Sequence, residues 1–314
     1  MCLLPPQPTH PKLTSRHQLL DLVLARLETF TLFNLSPLSR KLHRHVLVAL
    51  HSRLSAAAAL ENHTLVLECY HPAARLSTTN LYCTNLGTPG LDSALDVTPD
   101  GEVGRLQALG DLYTRFLPQH QEPQRASPPR RHPAGDVPGS RTHSATVREY
   151  DDGVLTDDGC AWRSVSLDAG EMFGQLCCAT NLVKLAPRRN VMVSIVEVGD
   201  GLIRVFRDWL AERAGADMHG GDMHGRKHDA GVLWVNNGNK DVGIKFRVRE
   251  RRRRDNPILY ANDEEVAVSY FLDIQELLIR TSFLLHKIER SREQQEQELG
   301  QGKAIIFGSF PDAT

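Results

Sequence analysis

The apolar periodicity of this chain changes near residue 60, and that switch excludes both an all-helical and an all-strand fold. Upstream, Leu19, Leu20, Val23, Leu24 and Leu27 recur at the i, i+3/i+4 spacing of an amphipathic helix. Downstream, Thr64–Tyr70 carries strand-type residues, and Ile244–Arg249 alternates strictly between apolar and charged. The pattern predicts an α+β protein: a loose segment over 1–15, a three-helix unit over 16–60, and a β-rich domain over 61–314 packed on a long C-terminal helix.

Within the first unit, a break at Glu28-Thr29 precedes a second apolar run of Phe30, Leu32, Phe33 and Leu35. Ser36-Pro37 reads as an N-cap followed by proline at the first helical position, where its missing N–H costs nothing. The third helix would turn Leu38, Leu42, Val46, Leu47 and Leu50 inward and Arg40, Lys41, Arg44 and His45 outward. So small a unit cannot cover all its own leucines, and they are expected to seek a partner's helix or groove.

In the second region, strands are expected over 64–70, 79–83, 162–167, 191–198, 202–210, 232–235 and 242–248, with Gly199-Asp200-Gly201 turning a hairpin. A short helix is expected over 104–116, an exposed proline-rich loop over 118–147, and a polar glycine-rich insertion over 214–230. Met172–Leu185 fits either a helix or a strand. Near the end, Asn262 and Glu265 stand at capping-box spacing. The stripe Val266, Tyr270, Phe271, Ile274, Leu277, Leu278, Leu285 and Ile288 then predicts one long helix.

The chemistry is sparse. A net charge of −1 argues against a general nucleic-acid binder, so no nucleic-acid partner is expected. No run approaches the roughly 20 apolar residues that span a bilayer, and Met1–Lys12 holds no secretory core, so no membrane partner is expected. The six cysteines are irregularly spaced, which fits reduced thiols and a cytoplasmic or nuclear location. There is no nucleophile elbow, zinc-protease helix, phosphate loop or dinucleotide fingerprint, so no catalytic residue and no cofactor is assigned.

The repeat Asp217-Met218-His219-Gly220 and Asp222-Met223-His224-Gly225, with His228 and Asp229, offers ligand atoms. Flanking glycines leave them unoriented, so a solvated loop is expected and no metal is assigned. Cys177-Cys178 reads as packed thiols whose side chains diverge, and the Asp151-Asp152-Gly153 and Asp157-Asp158-Gly159 pairs as turns. Arg204–Leu210 is either a core edge or a recognition surface. Arg251, Arg252, Arg253 and Arg254 form the strong basic patch, read as a solvated loop with an acidic-partner or nuclear-signal alternative.

The leucine-rich unit resembles an F-box. Gln18–Leu27, then Thr31–Ser36, then Leu38-Ser39-Arg40-Lys41-Leu42-His43 follow the family's spacing. Ser15-Arg16 stands where the family has Leu-Pro, and Gln18 where it has Glu. The whole chain also looks like a filamentous-fungal F-box protein, with Leu67–Pro72 and Val205–Leu210 in the manner of that group. The resemblance implies a non-catalytic substrate adaptor that binds a Skp-type adaptor, joins a cullin ubiquitin ligase and presents an unknown protein. Leu19, Leu20, Val23, Leu24, Leu27, Phe33, Leu35 and Leu38 would lie at or just beneath that contact. Two other readings compete. One is a small-molecule-binding or enzymatic β-domain with an N-terminal docking element, and the other a nuclear protein acting through its basic patch.

Overall fold

A computed structural model describes residues 16–74, 78–94, 104–120, 160–185, 191–218, 231–236, 238–251, 267–298 and 306–307. Outside them lie the aspartate turns at 151–159, most of the 118–147 and 214–230 segments, Arg252–Arg254, and Asn262 and Glu265. The chain divides into two compact units, Met1–Ala56 with Gly90–Gly110, and Ala57–Pro89 with Asp111–Thr314.

The first unit is helical. It contains α1 (Arg16–Leu24), α2 (Thr29–Leu35), most of α3 (Arg40–Ala58) and α4 (Arg105–Gly110). Leu24, Leu32, Val46 and Leu50, one or two from each long element, meet in a buried cluster. Leu20, Leu27, Leu35, Leu42, Ala49 and Leu106 pack around it. That apolar stripe per helix is what the i, i+3/i+4 spacing encodes.

The caps differ from expectation. Ser36 does not cap the third helix, because Ser36-Pro37-Leu38 closes a 3-10 turn of its own. Ser39 takes that place, its Oγ accepting the Leu42 N–H at 3.1 Å. At the other end of α1, Arg53 reaches across from α3. Its guanidinium donates to the Leu27 carbonyl, to Thr29 Oγ1 at 2.7 Å, and more distantly to the Ala25 and Leu24 carbonyls at 3.3 and 3.4 Å. These include carbonyls that a helix end leaves orphaned. Replacing Arg53 with alanine is expected to destabilise the helical unit by about 1–3 kcal/mol. Amide exchange at Leu27 and Leu32 would read the loss, and unchanged protection there would refute the role.

The second unit is a β-rich, nearly closed barrel-like sheet with two helices. Its strands are β1 (His63–Tyr70), β2 (Leu81–Gly87), β3 (Tyr113–His120), β4 (Trp162–Leu167), β5 (Phe173–Leu185), β6 (Val191–Phe206), β7 (Val232–Trp234), β8 (Val242–Glu250), β9 (Val268–Arg280) and β10 (Ile306–Phe307). The order is β10-β6-β5-β1-β2-β3-β9-β8-β7, with β4 also paired to β9, and every pairing is antiparallel. The helices are α5 (Arg207–Met218) and α6 (Thr281–Glu298).

Four expectations are corrected here. The long C-terminal helix is half strand: Val268–Arg280 is β9, and the helix begins only at Thr281. Its neighbours decide this. β9 pairs with β8 along most of its length, with β4 through residues 268–273 and with β3 through 277–280. A helix there would strip β4 of its pairing strand and leave β3 and β8 each with one edge unpaired.

The pattern misled because of a bulge. Tyr270, Leu272 and Ile274 are buried at period two. Ile274 then faces Phe246 and Glu276 faces Lys245, which leaves Gln275 as the extra residue. Burial resumes at Leu277 and Ile279, so Ile274 and Leu277 stand at a helix-like spacing of three.

The remaining corrections concern ends and turns. β6 runs unbroken through Gly199-Asp200-Gly201, which pair with Thr180, Ala179 and Cys178 of β5 instead of turning a hairpin, and the bulge beside them leaves Val198 as the extra residue. The strand expected over 202–210 ends at Phe206, where α5 starts. The helix expected over 104–116 stops at Gly110, and Tyr113–His120 is strand, including Pro118 from the expected loop. Met172–Leu185, open from sequence, resolves as β5 from Phe173 onward.

At Gly243 the contact leaves no room for a side chain. A Cβ on Gly243 would lie 2.7 Å from the Trp234 ring, which covers this position from β7.

Candidate partner interface

The eight residues expected at or beneath a partner contact fall into two groups. Leu24 is sealed in the helical core, and Leu20, Leu27 and Leu35 pack against that core. Leu19, Val23, Phe33 and Leu38 stand outward, 51%, 57%, 46% and 69% exposed. Leu22 and Phe30, which the sequence reading did not place at the contact, are exposed as well.

The arrangement follows from helix geometry. On α1, Leu20 and Leu24 lie one turn apart on the core face, while Leu19, Leu22 and Val23 at i, i+3 and i+4 form the opposite apolar face. On α2, Leu32 points inward, and Phe30 and Phe33 share an outer face. These helices are therefore apolar on two sides, of which the unit's own core covers one.

Beside Leu38 lies a cleft of about 500 Å³ lined by Ser36, Pro37, Ser39, Arg40, His43, Gly104, Leu106 and Gln107. Ser36 Oγ stands 2.6 Å from His43 Nδ1. A hydroxyl beside an imidazole can serve acyl transfer, but among the described residues the cleft lining holds no carboxylate to orient the ring, and Ser36 is 5% exposed. The bond fixes the turn between α2 and α3. On the same unit, His45 Nδ1 meets Asp21 Oδ1 at 2.6 Å and ties α3 to α1.

A second serine–histidine pair lies in the sheet unit. His63 Nδ1 donates to the Glu61 carbonyl at 2.8 Å, so Nε2 is the acceptor that faces the Ser291 hydroxyl at 3.1 Å. Ser194 Oγ approaches Ser291 Oγ at 2.6 Å. Gln295 donates to the Ser291 carbonyl at 2.9 Å and accepts from Lys184 Nζ at 2.7 Å. Ser291 is fully sealed, so the chain of bonds docks α6 on β1, β5 and β6 and reaches no substrate. Leu284, Leu285 and Ile288 bury the same helix's apolar stripe.

Burial lowers the His63 pKa below its ordinary value of 6.5, and Lys184 and Arg292 add to this against the Glu61 carbonyl bond. His120 is lowered by burial and by the Arg163 charge. Both imidazoles are therefore held neutral by the fold, whereas the unfolded chain protonates them near 6.5. Their contribution to stability is complete above that pH and is lost as the pH falls from 6.5 toward the lower folded values. Urea midpoints measured from pH 7.5 to 5 should fall, and should fall less in His63→Gln. An identical slope in that variant would remove His63 from the explanation.

The outer faces of β3, β9 and β8 carry paired charges. Arg115 grips Glu276 through two hydrogen bonds of 2.6 and 2.5 Å, and Arg249 grips Asp273 through two of 2.6 Å. The Arg115 bonds hold the Glu276 carboxyl below its usual range, and Lys245 lowers it further. Of the expected basic patch, Arg251 alone is described; it is exposed and lies 5.6 Å from the centre of the Phe271 ring. Val205 and Leu210 are core, while Phe206 is 51% exposed, so the Arg204–Leu210 segment is divided between the two readings.

Among the described residues, no three His, Cys, Asp or Glu side chains cluster in a way that could hold a metal ion. His219, His224 and His228 lie outside those residues. No described helix is long and apolar enough to cross a membrane. Comparison with protein-family models, with curated proteins and with solved structures finds no match to this chain.

Proposed function

We propose that the helical unit is a docking module of the F-box kind, which seats the protein on a Skp-type adaptor and through it on a cullin ubiquitin ligase. The sheet unit would then present a protein substrate. The observation that carries the reading is the second apolar face: Leu19, Val23, Phe33 and Leu38 remain exposed although Leu24, Leu32, Val46 and Leu50 complete a core without them. Large apolar side chains gathered on the outer faces of short helices mark a protein-binding surface. The buried Leu24 and the partly buried Leu20, Leu27 and Leu35 hold those helices at fixed spacing and act beneath the contact.

The direct test is co-expression of the full chain with a Skp-type adaptor, followed by size-exclusion chromatography. Co-elution at micromolar concentration supports the proposal. Separate elution at that concentration, with the helical unit folded by circular dichroism, overturns it.

A further inference from the structure

The notable chemistry outside that surface is a pair of thiols facing each other inside the sheet. Cys69 on β1 and Cys178 on β5 are direct cross-strand partners. Their sulfurs are 3.5 Å apart, with the Cys178 thiol directed at Cys69. Neither is joined in a disulfide, and they are 0% and 1% exposed.

Most buried thiols sit among hydrocarbon and meet no second sulfur. Here the backbone already holds the two side chains on the same face at the same rung of an antiparallel ladder. Directly opposed residues of such a ladder have Cα atoms about 4.5–5.5 Å apart, inside the span a disulfide bridges. Closing the bond needs the sulfurs to approach from 3.5 Å to bonding distance, a shift of the size side-chain rotation supplies. Cys177, next in sequence, alternates to the other side of β5 and is half-buried, so it is not equivalent.

We propose that Cys69 and Cys178 form a reversible cross-strand disulfide with a hydroperoxide as the oxidant. One thiolate attacks the peroxide O–O bond and becomes a sulfenic acid, and the departing oxygen leaves as water after taking up a proton. The second sulfur then attacks the sulfenic sulfur, the S–S bond forms, and a second water leaves. Two thiols and one hydrogen peroxide give one disulfide and two waters, and a dithiol reductant reverses the change.

Burial governs the rate. The bond to Cys69, with burial, keeps the Cys178 thiol protonated, and neither sulfur meets solvent in the closed sheet. Oxidation therefore proceeds through opening of the β1–β5 ladder and is slow on the intact fold. Once made, the bond ties two internal strands of the sheet.

The experiment is peptide mapping of the full-length chain after mild hydrogen peroxide under native conditions. Remaining thiols are alkylated in denaturant before digestion. The expected product is a peptide pair joined through Cys69 and Cys178, about 2 Da lighter than its reduced parts, with both residues lost from the alkylated pool. Cys177→Ser should retain the linkage and Cys178→Ser should abolish it. The wild-type map decides alone if a variant misfolds. Recovery of Cys69 and Cys178 as alkylated thiols while Cys177 or Cys160 is oxidised would overturn the proposal, as would linkage of Cys69 to Cys177 instead.

Discussion

Aspartates at Val23 and Phe33 together are expected to weaken capture by a Skp-type adaptor at least 100-fold while the protein stays folded. Each side chain is about half exposed, 57% and 46%, so the monomer loses little of its own packing. In a complex, each would bury the half of its apolar surface still exposed, worth about 0.7–1.5 kcal/mol. A carboxylate carried into the same contact adds a desolvation cost of about 1–3 kcal/mol. Two such sites therefore amount to roughly 3–9 kcal/mol, and every 1.4 kcal/mol is tenfold in affinity. Calorimetric titration of the wild-type and double-variant chains would measure the difference. Equal affinities, with circular dichroism unchanged, would place any adaptor contact elsewhere. Leu24→Asp makes a poor substitute, because that residue is 1% exposed and its loss would unfold the unit first.

The second large effect separates strand from helix at β9. Leu277 is fully buried, faces Phe116 across β3 and Ile244 across β8, and its replacement by alanine should cost about 2–5 kcal/mol. Leu278, next to it, turns to the other side of the strand and is only half-buried, so Leu278→Ala should cost about 1 kcal/mol or less. On a helix both would lie in the apolar stripe and their costs would be alike. Urea unfolding of the two variants reads the asymmetry, and equal losses would contradict the strand.

The elements legible in the sequence were those whose residue types pointed to one kind of element from end to end. Thr64–Tyr70, Trp162–Leu167 and Ile244–Val248 fall within β1, β4 and β8, and the helical spacing over 16–58 gives α1, α2 and α3. Misreadings gathered where a local signal had a second use. Gln275 adds a residue at the place where β9 exchanges β4 for β3, and one bulge turned a strand's rhythm into a helix's. Gly199 and Gly201 looked like a hairpin turn, yet each faces a close neighbour: a Cβ on Gly199 would lie 3.1 Å from Val242, and one on Gly201 3.0 Å from the Val235 carbonyl oxygen.

Long-range polar pairs carried no signal. His63 and Ser291 are 228 residues apart, Arg115 and Glu276 161, and Cys69 and Cys178 109, so no spacing rule could join them. Arg53 was equally invisible. Its partners are backbone carbonyls of a helix end, and any sequence offers carbonyls.

By itself the sequence determined that a leucine-rich helical unit precedes a β-rich one, because hydrophobic periodicity is a local property that each element carries whole. The tertiary structure decided which leucines became core and which remained outside, since i, i+3 spacing gives a helix its apolar faces but does not say which one a neighbour covers. It also decided that Val268–Arg280 extends as a strand, because only the three strands beside it could supply partners for an extended backbone.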